Sequence, residues 1–119
     1  MANSGDLKKA EKYFKHCIRL QEKSIPAHFG LGKILHSFND YKQALLHLKY
    51  VIENDKDNYK ALCQIGLIYI EKKPHNYEMA GGYISKCLKI KPDYIPGLIA
   101  MGNVMFETGE TENAQKYFE

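Results

Sequence analysis

Apolar residues along this chain recur at steps of three and four and are interrupted by short polar breaks. That step is the period of one face of an α-helix. Ala10, Tyr13, Phe14, Cys17, Ile18 and Leu20 predict a helix over about 7–22. Phe29, Leu31, Ile34, Leu35 and Phe38 predict a second, ending near 38, and Ala44, Leu45, Leu48, Val51 and Ile52 a third over 41–54. Leu62, Ile65, Ile68 and Tyr69 mark a fourth over 59–72. Ala80, Tyr83, Ile84, Cys87 and Leu88 mark a fifth over 76–90, and Leu98, Met101 and Met105 a sixth over 95–107. A seventh starts near Thr111. Strict two-residue alternation is never sustained, so no strand is expected.

The breaks carry their own chemistry. Asp6, Ser24 and Asp40 stand where a side-chain oxygen accepts from an otherwise unpaired amide of the first helical turn. Pro26 sits in a first turn, where a missing N–H costs little. Pro74 discourages helical geometry at Lys73 and ends the fourth helix. Asn39-Asp40, the run 55–58, Lys91-Pro92-Asp93 and Thr108-Gly109-Glu110 complete the punctuation. Residues 1–5 are expected to be a disordered leader or an expression remnant.

Small residues inside the helices repeat in phase. Gly32, Gly66 and Gly102 recur at 34 and 36 residues, and Ala10, Ala44, Ala80 and Ala114 at 34, 36 and 34. Glycine within a helix costs about 1 kcal/mol relative to alanine, so its retention implies a close helix–helix approach; Gly81-Gly82 is assigned the same cause. A period near 34 with a turn between two helices marks a helix–turn–helix repeat. Gly66 to Ala80 spans two residues more than Gly32 to Ala44, which places a two-residue insertion in the turn at 73–76.

Composition changes the picture little. The chain of 119 residues is 45% hydrophobic and 26% charged, ordinary for a folded domain. The net charge of +3 is too small to argue for nucleic acid by itself, and such a partner is not expected. Its distribution is uneven: residues 1–24 hold six cations against three carboxylates, and residues 95–119 hold Lys116 against Glu107, Glu110, Glu112 and Glu119. Three cysteines without CxxC spacing fit free thiols in a reducing compartment, cytoplasmic or nuclear. Neither a signal peptide nor an apolar run of membrane-spanning length is visible.

Candidate chemistry is sparse. His28 and His36 lie eight residues apart, whereas zinc on a helix favours a separation of four with a third ligand nearby, so no metal is expected. The histidines are expected at polar edges or as partly buried rings. Cys17 and Cys87 are expected as buried structural thiols. No nucleophile stands with a base and an orienting acid, and no glycine loop leads into Lys-Ser/Thr; neither an enzyme nor a cofactor is expected.

These landmarks resemble the tetratricopeptide repeat over essentially the whole chain after Gly5. Gly5-Asp6-Leu7-Lys8-Lys9-Ala10, Asn39-Asp40-Tyr41-Lys42-Gln43-Ala44 and Gly109-Glu110-Thr111-Glu112-Asn113-Ala114 are similar to the family's turn. Leu31-Gly32, Ile65-Gly66 and Met101-Gly102 are similar to its Leu-Gly pair. Phe14, Leu48, Ile84 and Phe118 fill its large slot, and Cys17, Val51 and Cys87 the small one. His28, Leu62 and Leu98 replace its early tryptophan, and Lys56 stands where a proline is usual. The resemblance implies an all-α fold, a right-handed α-solenoid of antiparallel hairpins with about seven helices. It divides the chain into the second helix of an incomplete repeat (6–24), repeats at 25–58 and 59–94, and a truncated repeat at 95–119. That division predicts a piece of a longer array, with end helices open to head-to-tail self-association.

The resemblance also implies a function. First helices of the family line a concave groove that binds peptides or partner helices. Here they would contribute Phe29, Lys33 and His36, then Lys60, Cys63, Leu67 and Ile70, then Ile99, Asn103 and Phe106. The same apolar residues would equally suit packing between repeats. The expected role is a protein-interaction scaffold, in a subunit of a larger complex, with a protein or peptide partner and no small-molecule substrate. The rival is a substrate-docking arm of a multidomain enzyme such as a glycosyltransferase. Chaperone-tail binding is disfavoured, because Phe29 with Lys33, Gln64, and Pro96 with Ala100 stand at the clamp positions without a convergent cationic set. RNA binding is disfavoured because those repeats run a residue longer and display a basic groove.

Overall fold

Polar caps set the element boundaries. In the computed structural model, which describes residues 4–109, the order is α1 (Ser4–Leu20), α2 (Ile25–Ser37), α3 (Tyr41–Asn54), α4 (Tyr59–Glu71), α5 (Tyr77–Ile90) and α6 (Ile95–Glu107). The seventh predicted helix lies outside the described residues. Ser24, Asp40, Asn58 and Asn76 each accept from the backbone amide three residues on, at 3.3, 3.4, 3.1 and 3.1 Å. α1 starts earlier than expected. Ser4 and Gly5 are already helical, and Asp6 falls in the first turn rather than at the cap. There its carboxylate favours the positive end of the helix dipole.

The α2–α3 turn is made by one left-handed residue. Asn39 has φ 62°, its amide donates to the His36 carbonyl, and the Asp40 amide donates to the Leu35 carbonyl at 2.9 Å. This pair of bonds closes the last turn of α2. Asp40 then caps α3, so two adjacent residues stop one helix and start the next. The α4–α5 connection, 72–76, is two residues longer than 38–40.

The chain divides into two compact units between Lys56 and Asp57. In the first, α2 packs against α1 and α3. Leu31, Ile34, Leu35, Ala44, Leu48 and Val51 are buried. A β-carbon on Gly32 would lie 2.7 Å from Leu48 Cγ, and Gly30 faces the Phe14 ring. In the second, α4 packs against α5 and α6, and α5 against α6. Ile65, Ile68, Ala80, Ile84 and Cys87 are fully enclosed, with Ala100, Met101 and Val104 from α6. Gly66 is the equivalent close approach, where a β-carbon would meet Ile84 Cγ1 at 2.5 Å and the Ala80 carbonyl at 3.2 Å. Burying a Leu or Ile side chain of this kind contributes about 1.5–3 kcal/mol.

Two packing expectations are corrected. Gly82 faces open space and Gly81 meets Val104 only at an ordinary 3.7 Å, so close approach does not explain that pair. Cys17 is exposed. Among the described residues α1 packs on α2 alone, and Tyr13 and Leu20, near Cys17 on the helix surface, are 72% and 75% exposed.

Candidate functional site

In the first unit, Phe29, Lys33 and His36 follow at steps of four and three on α2, one strip of helix surface. Phe29 is half-buried and Lys33 exposed, with the lysine Nζ 5.6 Å from the centre of the Phe29 ring. That separation allows a cation–π attraction. His36 is half-buried, its ring 5.9 Å from that of Tyr41.

In the second unit, α4 carries Lys60, Cys63, Leu67 and Ile70, and α6 carries Ile99, Asn103 and Phe106. Lys60 and Asn103 are exposed. Leu67 and Ile70 are half-buried against the cluster of Ala80, Ile84, Ala100, Met101 and Val104, so packing uses part of their surface. Ile99 and Phe106 stand well out, 48% and 62% exposed. Cys63 departs from the expected position. It is buried beside Cys87, and desolvation together with that neighbouring thiol pushes its pKa up to about 12. α4 and α5 approach closely here, so the small side chain falls inside the contact, where no partner reaches it.

A partly buried polar cluster was not visible in the sequence. The His28 Nε2–H donates to the Glu22 carbonyl at 2.8 Å. A carbonyl only accepts, so Nε2 carries a proton, and the Nδ1 atoms of His28 and His47 share a hydrogen bond at 2.9 Å. The Tyr50 ring packs on His28 with centres 4.2 Å apart. Burial, then His28 and then Lys15, hold the His47 pKa below 6.5. The nineteen-residue separation of the rings hides the pair; its only trace is a histidine at an otherwise apolar helix position.

A cleft of about 640 Å3 opens between α1, α2 and α3. Lys8, Lys12, Lys15 and Arg19 line it, at steps of four, three and four on α1, over Ile18 and Leu31, with His47 on α3. Its one carboxylate, Glu11, is held by Lys15 at 3.4 Å. The spacing of these cations was legible, but it reads as a solvated face until α2 and α3 supply the other walls. Among the described residues no three His, Cys, Asp or Glu side chains gather as metal ligands, and no helix is long and apolar enough to cross a membrane.

A family model described as tetratricopeptide repeat matches residues 2–24 and 59–94. A curated relative, the probable UDP-N-acetylglucosamine–peptide N-acetylglucosaminyltransferase SEC of Arabidopsis thaliana, is 29% identical over 92 residues. The match takes in 77% of this chain and 9% of that protein. Among solved structures, MamA superposes with a TM-score of 0.84 at 24% identity, over 96% of this chain and 66% of its own. A MamA structure from Desulfovibrio magneticus RS-1 gives 0.84 at 22%, over 96% and 63%. The chain thus spans less than two thirds of each of these proteins. At these identities the structural likeness speaks for the fold, an all-α solenoid of helix hairpins.

Proposed function

We propose, for a chain that belongs to the tetratricopeptide repeat family, that it binds a peptide or helix of a partner protein on the exposed faces of its first helices. Repeats of this family are protein–protein interaction scaffolds. The supporting observation is the apolar surface of α6, where Ile99 and Phe106 are 48% and 62% exposed beside exposed Asn103. Large apolar side chains gathered on one strip and rimmed by polar groups mark interaction surfaces. α4 touches α6 and adds Lys60 with the uncovered parts of Leu67 and Ile70. On α2, Phe29, Lys33 and His36 offer the same mixture in the first unit. Cys63 is not part of this reading.

The experiment compares the partners captured by the chain and by its Ile99→Ala/Phe106→Ala variant. Phe106 is mostly in solvent and Ile99 about half so, and neither belongs to the buried core, so their loss spares the fold. Truncating buried anchors of an interface costs about 2 kcal/mol or more, roughly a thirtyfold loss of affinity. A partner depleted to that extent supports the reading, and an unchanged set of partners overturns it. A second reading places the repeats as the substrate-docking arm of a glycosyltransferase, favoured by the name of the Arabidopsis relative. The coding sequence flanking these repeats decides it: a glycosyltransferase domain on the same polypeptide supports this reading.

A further inference from the structure

We propose that the basic cleft along α1 takes up the acidic segment 107–119 of a second copy of this chain. The cleft is lined by other side chains than the faces considered above, most of them on α1. Lys8, Lys12, Lys15 and Arg19 converge on it, and Glu11 within it is already engaged by Lys15. Lys8 and Lys12 are exposed, and neither meets a carboxylate among the described residues. His47 forms the far wall, its pKa lowered by burial, then by His28 and last by Lys15 from across the cleft. Beside the cleft, Lys9, Tyr13 and His16 continue the basic and aromatic surface of α1.

The complementary charge stands on the same chain. Residues 107–119 hold Glu107, Glu110, Glu112 and Glu119 against Lys116 alone, with Ala114, Tyr117 and Phe118 interspersed. Carboxylates match the rim of the cleft, and the apolar members match the half-buried Ile18 and the exposed Tyr13. A contact between two different surfaces of one chain leaves one of each free at every step, so it propagates from copy to copy.

Sedimentation of the full chain over a range of concentrations tests this. The expected result is concentration-dependent association at about 0.05 M NaCl that is lost at about 0.5 M, where charges are screened within a few ångströms. Lys8→Glu/Lys12→Glu and Glu110→Lys/Glu112→Lys should each weaken self-association on the order of tenfold or more. An equimolar mixture of the two variants should associate again, because each then offers what the other lacks. Far-UV circular dichroism checks that both remain helical. A chain that stays monomeric in low salt overturns the proposal. So does association that persists in the variants, or a mixture that fails to recover. Docking of the segment within its own chain would leave the sedimentation independent of concentration and overturns it equally.

Discussion

His28 shows how much one side chain can conceal. The position faces the interior and takes leucine at the equivalent sites, Leu62 and Leu98. A histidine is tolerated because both ring nitrogens are satisfied, one by the Glu22 carbonyl and one by His47. His47 loses in the bargain with protons. Its folded pKa lies below the 6.5 of an ordinary histidine, through burial first and then its neighbours His28 and Lys15. The unfolded chain therefore binds a proton more readily than the folded one. Stability from this source is complete above 6.5 and is lost as pH falls through the folded pKa. Urea unfolding at about pH 7.5 and about pH 5 should show a lower midpoint in acid. His47→Asn, which places an amide donor where Nδ1 stood, should reduce that difference. An acid midpoint equal to or above the neutral one would count against the pairing. The sequence marked His28 as an odd substitution and went no further, because a ring pair nineteen residues apart becomes visible only when α2 and α3 have packed.

At the scale of elements, the hairpin is the unit, and its glycines separate packing from accident. Gly66 lies under Ile84, a fully buried and branched side chain, with the Ala80 carbonyl behind it. Nothing there can yield, so Gly66→Ala should destabilise by about 1–3 kcal/mol through overpacking. Gly82 faces open space on an exposed helical turn, and Gly82→Ala should stabilise by about 0.5–1 kcal/mol through backbone entropy alone. Chemical denaturation of the two variants checks both signs. Periodicity alone placed the glycines in phase, and with the strong punctuation of Asp40 and Lys91-Pro92-Asp93 it located α3 and α6 to the residue. It could not tell Gly66 from Gly82, because helix position says nothing about what stands opposite. The start of α1 was misjudged for a related reason. Asp6 is as favourable within a first turn as at a cap, so composition left the boundary open.

For the whole molecule, the question is what its charges do. The ion pair of Lys15 with Glu11 has side chains 59% and 22% exposed, and that of Lys91 with Asp93 has them 47% and 80% exposed. Pairs so wet contribute about 0–1 kcal/mol, whereas the buried leucines and isoleucines of either unit contribute more apiece. The fold should therefore be indifferent to salt. Measured on the Lys8→Glu/Lys12→Glu variant, unfolding free energy should change by less than about 0.5 kcal/mol between about 0.05 and about 0.5 M NaCl. The unaltered chain should behave differently at high protein concentration, because association of folded copies adds to apparent stability by mass action. Its midpoint should rise with concentration in low salt and lose that dependence in high salt. A salt-sensitive fold in the variant would mean that ion pairs hold the hairpins, contrary to the burial pattern. The segregation of charge was already plain in the sequence, basic at 1–24 and acidic at 95–119. What the sequence withheld was the shape around the basic run, since its walls come from Leu31 on α2 and His47 on α3. A line of lysines on a lone helix is solvated; walled by two further helices, the same line becomes a place for carboxylates to bind.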